Sequence, residues 1–528
     1  MTVQQVLIDG QWTTSAGTST FQAVNPRTKE PLPGRYPISP WAEIVRAIES
    51  ASRAAAIVRE WSGDRFGAFL DRFADRIDAR ATELVEIANL ETALPVQPRL
   101  KDAELPRTSN QLRQAAMAAR DGSWAIPTID TAPNIRSMLR AIGPVVVFGP
   151  NNFPFAFNSA AGGDFAAAVA AGNPVIAKGH SSHPGTTRLL AEEAQLAATE
   201  TGMPTGFVQL IYRTNHDDGK RLVSHPAIGA SGYTGSRSAG SQLKEAADRV
   251  GKPIYLELSS INPIYILPGA IRERGSAIAE QFASSCLMGV GQFCTNPGLI
   301  VVKAGAETEE WIRQVAERFT AAPVGTLLGP TVLSHLEAGL QTLVAHGAVV
   351  VTGGSAGGGA GYCCQNTLLR VTGSHFVASP AALQTEAFGN ASMVVVVESD
   401  HEFAAVTQAL EGNLTGCLYT ANDGSDDALY DLITPILRQK VGRLLNDKMP
   451  TGVAVVSAMN HGGPFPATGH PGFTAVGIPA SLKRFAMLQC YDGVRSHRLP
   501  AALADKSPNR SLWRQIDGNL TQGDVVAK

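Results

Sequence analysis

Cysteine is scarce in this chain, charge shows no excess of either sign, and long apolar runs are missing. Six cysteines in 528 residues, without regular spacing, argue against a disulfide framework and point to reduced thiols in a cytoplasmic protein. Cys363 and Cys364 are adjacent, which suits neither a zinc knuckle nor an ordinary bridge. Forty-four basic residues stand against 46 acidic ones, a net charge of −2, so there is no electrostatic footprint for nucleic acid or an anionic membrane. No uninterrupted apolar stretch approaches the ~18–20 residues of a membrane span. The stretch Met1 to Gly10 has neither the basic flank nor the apolar block of a signal peptide. His180, His183 and His461 fit no zinc spacing, so no metal is expected.

What is present is an ordinary globular composition, 44% apolar and 17% charged, long enough for two or three domains and a large core. Short strands and turns are expected to about Pro26, then helices between Trp41 and Glu91. There Ile44, Ala47, Ile48 and Ala51 share one face, as do Phe66, Phe69, Leu70, Phe73 and Ile77. A further helix is read from Glu104 through Met117. From residue 140 strands alternate with helices: Val145–Gly149, Asp164–Ala171, Val175–Lys178, Pro184 to Gly202, Phe207–Ile211, Ala227–Tyr233 and Gly235–Val250. Such alternation predicts an α/β fold with a mostly parallel sheet, which binds nucleotides at the carboxyl ends of its strands. A second alternating region runs from Ala277 to Gln439. Val349–Gly361 reads as a Gly-rich surface loop, and the tail after Ser496 as largely irregular.

Three segments carry chemistry. Cys294 stands in Gly291-Gln292-Phe293-Cys294-Thr295-Asn296-Pro297-Gly298, a frame of small neutral residues that suits a nucleophilic thiol. Glu257 is the one acid in Leu256–Pro263, where partial desolvation suits a general base. Asn152 follows an apolar strand in Gly149-Pro150-Asn151-Asn152, and its amide can donate to an oxyanion. Other readings remain open from the residues alone: Asn152 as a helix cap, Glu257 as an ion-pair member, Lys178 as a solvated strand-end lysine.

With Lys178, Thr234-Gly235-Ser236 and Glu386-Ala387-Phe388-Gly389 in the same order, the chain resembles the aldehyde dehydrogenase superfamily over nearly its whole length. The resemblance implies a Rossmann-type NAD(P)-binding domain at 1–125 and 142–258 and an α/β catalytic domain at 259–477. It implies bridging segments at 126–141 and 478–528 that pair subunits into a homodimer or homotetramer. It implies Cys294 as nucleophile, Asn152 and the Cys294 N–H as oxyanion donors, and Glu257 as the base for thioester hydrolysis. Lys178 and Glu386 would contact cofactor ribose, Gly235 and Ser236 would open a helix toward the pyrophosphate, and Phe388 would lie near the nicotinamide.

Family members that use NAD commonly place an acid three residues after the lysine; Ser181 stands there. With Lys178 and Arg213 close by, this favours NADP, with NAD as the other candidate. Lys178–Pro184, Glu257–Pro263, Gly291–Gly298 and His461–Thr468 are similar to the 2,5-dioxopentanoate (α-ketoglutarate semialdehyde) dehydrogenase branch. That similarity implies oxidation of 2,5-dioxopentanoate to 2-oxoglutarate. The alternatives are a dehydrogenase of medium-chain or aromatic aldehydes, a CoA-acylating relative, and a non-catalytic homologue. Phe153, Phe157, Phe293 and Phe465 would line the pocket, and Arg113 would meet a substrate carboxylate. Asn151 replaces a common aromatic, and Ser259-Ser260 replace a glycine pair.

Overall fold

The computed structural model describes residues 2–526. Its first sheet has seven strands, in the order Ile254–Glu257, Ala230–Thr234, Val145–Phe148, Val175–Lys178, Val208–Ile211, Val6–Ile8 and Gln11–Thr13. The first five run parallel. Every residue of Val145–Phe148 is buried, as expected for a β-branched strand covered on both faces. The helix Gly163–Ala170 is buried along its whole length, and its small side chains permit that. Gly172, at φ 93°, closes it by donating to the Val169 carbonyl at 2.8 Å, a left-handed stop that a side chain would disfavour. Chain order moves outward from Val145–Phe148 to one side and then returns to fill the other. The order reverses between Val145–Phe148 and Ala230–Thr234, and in such sheets that reversal opens a crevice at the carboxyl ends.

The second sheet also has seven strands: Val349–Thr352, Thr367–Thr372, Ala391–Val397, Leu299–Lys303, Ile264–Ile266, Asn413–Tyr419 and Val441–Asn446. All are parallel to their neighbours except Val349–Thr352 at the edge. A third sheet joins Ala486–Asp492, Ile135–Ala141, Thr128–Asp130, Arg514–Ile516 and Asn519–Thr521. Among the described residues no helix is long and apolar enough to cross a membrane.

The helical faces expected at Ile44–Ala51 and Phe66–Ile77 are the buried faces of Trp41–Val58 and Gly63–Ala79. Two expectations need correction. Val349–Gly361 is not all loop, because Val349–Thr352 pairs with Thr367–Thr372. The tail is not irregular throughout: Arg514–Ile516 joins the third sheet beside Thr128–Asp130, and Arg514, fully buried, donates to the Gly523 carbonyl at 2.7 Å. Cys286 and Cys417 are buried and unpaired.

Candidate active site

The helix Pro268–Leu287 runs into the cysteine loop through Gly289, Val290 and Gly291, at φ 56°, 60° and 67°. Left-handed backbone is unfavourable for a β-branched residue such as Val290. The surroundings hold it: the Gln292 side chain donates to the Gly289 carbonyl at 3.1 Å and accepts from the Leu328 N–H at 2.9 Å. A methyl group on Gly291 would run into the Gly389 carbonyl, so glycine there lets the Glu386–Gly389 loop pack against the cysteine loop. Asn262 completes the clamp, donating to the Cys294 and Asn296 carbonyls at 2.9 Å each.

Cys294 is partly exposed, and its Sγ lies 3.2 Å from His461 Nε2. The same Nε2 lies 2.9 Å from Glu257 Oε1. His461 and Glu257 are both buried, and Glu257 Oε2 has no partner. Strand pairing brings the histidine here. Leu258 donates to the Ala467 carbonyl at 2.8 Å and Gly469 to the Leu256 carbonyl at 3.0 Å, which lays 467–469 along the edge strand that ends in Glu257. Burial first, then the negative charge of Glu257, push the Cys294 thiol well above its ordinary range, with Arg107 pulling the other way. The ligand atoms of Glu257, Cys294 and His461 lie within 4.8 Å of one another.

Asn152 donates from Nδ2 to the Gln292 carbonyl at 2.9 Å, which leaves its second amide hydrogen for a ligand. The turn that carries it is held from two sides. His183 Nε2 meets the Pro150 carbonyl at 2.9 Å, and burial keeps His183 below its ordinary pKa. Glu104 Oε1 accepts from the Phe155 and Ala156 N–H groups at 2.8 and 3.0 Å. Its Oε2 pairs with Arg99.

Phe153 stacks edge-on against Phe157 at 5.1 Å and Phe293 at 5.5 Å, and Phe157 lies 6.0 Å from His461. Phe473 joins this cluster. Two expected pocket residues lie elsewhere. Phe465 is 73% exposed, outside the aromatic cluster. Arg113 pairs with Asp75 and Asp78 at 2.8 Å each, on the face turned to Gly63–Ala79, where its charge is already met. Two arginines lie beside the aromatic cluster: Arg99, paired with Glu104 and 4.4 Å from the Phe153 ring, and Arg107, 5.2 Å from the Phe157 ring and 5.8 Å from the Phe153 ring.

At the carboxyl end of Val175–Lys178, burial and the nearby Arg213 bring the Lys178 ammonium down to about 8. Lys178 and Arg213 form no ion pair among the described residues. Ser236 caps the helix Arg237–Asp248, accepting from the Ala239 N–H at 3.4 Å. Two cations without acidic partners, beside a helix N-terminus at the sheet's reversal point, suit the ribose and phosphates of a dinucleotide. Across the crevice, burial raises Glu386 to about 7 against hydrogen bonds from Ser259 and the Ser260 N–H. The Ser259-Ser260 pair therefore holds Glu386. Ser260 Oγ also accepts from the Leu414 N–H at 3.0 Å.

A thiol, an imidazole and a carboxylate lie in contact, beside an amide donor and the crevice at the carboxyl ends of a parallel sheet, an arrangement that can support a covalent adduct on sulfur. Residues 12–430 match the aldehyde dehydrogenase family, and the chain belongs to that family, a class of NAD(P)-dependent enzymes. It is 41% identical to an alpha-ketoglutaric semialdehyde dehydrogenase 2 of Azospirillum brasilense, over 94% of this chain and 95% of that one. It is 33% identical to an alpha-ketoglutaric semialdehyde dehydrogenase of Acinetobacter baylyi, over 98% of each. Among solved structures, aldehyde dehydrogenase C of Pseudomonas syringae, a mutant with NAD+ and octanal, superposes with a TM-score of 0.79 at 19% identity. That match covers 94% of this chain and 98% of the other and bears on the fold alone.

Proposed function

We propose that this chain oxidises 2,5-dioxopentanoate to 2-oxoglutarate, using NADP in preference to NAD. The contact of Cys294 Sγ with His461 Nε2, itself 2.9 Å from Glu257, carries the chemistry; the names of the two relatives support the substrate. Isolated, the thiol is a poor nucleophile, because burial and Glu257 disfavour the thiolate. His461 resolves this. With its hydrogen on Nδ1, neutral His461 offers the Nε2 lone pair to the thiol. The proton that leaves sulfur arrives at Nε2 and only then is donated in a hydrogen bond to Glu257 Oε1, so the imidazolium forms beside a carboxylate. Attack on the aldehyde carbon gives a thiohemiacetal whose oxygen receives the free Asn152 amide hydrogen and the Cys294 N–H. Bound nicotinamide would supply the hydride acceptor.

The adduct becomes a thioester at Cys294. Glu257 Oε1 is engaged with His461, and Oε2 is the atom left to take a proton from water. Water then adds to the thioester carbon, sulfur leaves as thiolate, and His461 returns its proton. Lys178, Ser181 and Arg213 favour a 2′-phosphate because no carboxylate opposes it at residue 181. Gly235, Ser236, Glu386 and Phe388 hold the rest of the cofactor. We assign 1–125 with 142–258 to cofactor binding, 259–477 to catalysis, and 126–141 with 478–528 to pairing subunits as a homodimer or homotetramer in the cytoplasm.

A second reading, oxidation of medium-chain or aromatic aldehydes, draws on the Phe153, Phe157, Phe293 and Phe473 walls. The test is a panel of 2,5-dioxopentanoate, succinic semialdehyde, hexanal and benzaldehyde, each with both cofactors. The highest kcat/KM is expected for 2,5-dioxopentanoate with NADP. A higher value for hexanal or benzaldehyde would favour the second reading.

A further inference from the structure

We propose that Arg107 binds the carboxylate of the substrate and so selects oxo acids over uncharged aldehydes at Cys294. The inference rests on the aldehyde-oxidising reading above and adds the group that recognises the far end of the molecule.

Arg107 is the third residue of the helix Leu105–Asp121, which continues directly from the π-helical segment Val96–Glu104. Its neighbours on the same stretch are neutralised: Arg99 by Glu104, Arg113 by Asp75 and Asp78, Arg120 by Asp71. Arg107 has no ion pair among the described residues. Glu104 cannot serve it, because one oxygen holds two backbone N–H groups and the other holds Arg99. One guanidinium nitrogen, Nε, donates to Gln111 Oε1 at 3.2 Å, and Nη2 is buried without a partner. A buried unpaired donor on a charged group is costly and calls for a ligand.

The position fits that ligand. The guanidinium faces Phe153 and Phe157, and Phe157 touches the histidine that contacts Cys294. Its charge reaches the sulfur, where it opposes the effect of burial on the thiol. Arg443 is the other cation near the sulfur, but its Nη2 is spent on the Pro450 carbonyl at 2.7 Å. A carboxylate can meet the Arg107 fork through two parallel hydrogen bonds. A hydrocarbon tail in the same place would leave the guanidinium desolvated and unpaired, which selects against uncharged aldehydes.

The experiment compares parent, R107Q and R107K on 2,5-dioxopentanoate, succinic semialdehyde and hexanal. Loss of a charge-assisted contact lowers kcat/KM for the two oxo acids roughly 10- to 100-fold in R107Q, mainly through KM. R107K restores part of it, and hexanal, which feels only the lost pull of the charge on the sulfur, falls clearly less than the two oxo acids. Equal loss on hexanal, or unchanged oxo-acid kinetics, overturns the proposal. Calorimetric titration with 2-oxoglutarate gives an answer without turnover: the parent binds it and R107Q binds at least about tenfold more weakly. Equal binding overturns the proposal even if no aldehyde is oxidised. If succinic semialdehyde is oxidised with the same dependence on Arg107 and 2,5-dioxopentanoate is not, only the assigned substrate fails.

Discussion

Burial and Glu257 both oppose a free thiolate at Cys294, so the sulfur depends on a proton acceptor in contact with it. His461 Nε2, at 3.2 Å, is that group. The variant H461N is expected to slow alkylation of Cys294 by iodoacetamide at neutral pH by about tenfold or more, in line with the usual worth of a positioned base. Rates equal to the parent's would show that another group takes the proton. The residues proposed to hold the cofactor give a pH signature. Glu386, raised to about 7, accepts hydroxyl hydrogen bonds best when ionised, so binding weakens as pH falls through that value. Lys178, brought down to about 8, attracts phosphate only when protonated, so binding weakens as pH rises through that value. The kcat/KM for NADP should therefore peak between about pH 7 and 8, with K178M removing the alkaline limb and E386Q the acid limb. A flat profile from about pH 6 to 9 would contradict both assignments.

The same residues show what the sequence could reveal. Cys294, Glu257 and Asn152 stand in local frames that mark them. His461 does not, since it meets Glu257 across 204 residues through strand pairing at 467–469. Arg113 and Arg107 are six residues apart on one helix, which points them about 120° away from each other around its axis. Choosing between them required knowing that Asp75 and Asp78 occupy one face.

Among the elements, parallel strands with unbroken β-branched runs were legible, because burial on both faces leaves a continuous apolar signature. Ile264–Ile266, three residues long, was not: a strand that short carries too little pattern. The loop from Met288 to Asn296 is the element on which the site turns. Its left-handed backbone at Gly289, Val290 and Gly291 aims the cysteine, and Gly291 admits the Glu386–Gly389 loop. A methyl group there must displace one loop or the other. G291A is expected to cost about 1–3 kcal/mol of stability, with larger loss of activity than of fold. Calorimetric melting with parallel rate measurements checks it. Parent-like values of both would mean that the two loops do not need this approach.

Across the whole molecule, the first sheet supplies Asn152, Lys178 and Glu257 at or just beyond its carboxyl edge, and the loop leading into the second sheet supplies Cys294. The third sheet supplies none of these residues. Leu488 and Leu520, on the strands at its two edges, are 66% and 69% exposed, and open edges of this kind seek a partner. Sedimentation at micromolar concentration is expected to give a dimer or tetramer, and a strict monomer would rule out the assembly proposed for these segments.

Hydrolysis of a Cys294 thioester through Glu257 is tested most directly by E257Q. Removing the carboxylate removes the atom that takes a proton from water but leaves the sulfur, so the variant should give one burst of NADPH and then stop. Intact-mass spectrometry of the stalled protein, followed by peptide mapping, should find one acyl group on Cys294. Steady turnover at the parent's rate, with no adduct on that sulfur, would contradict a thioester at Cys294 hydrolysed through Glu257.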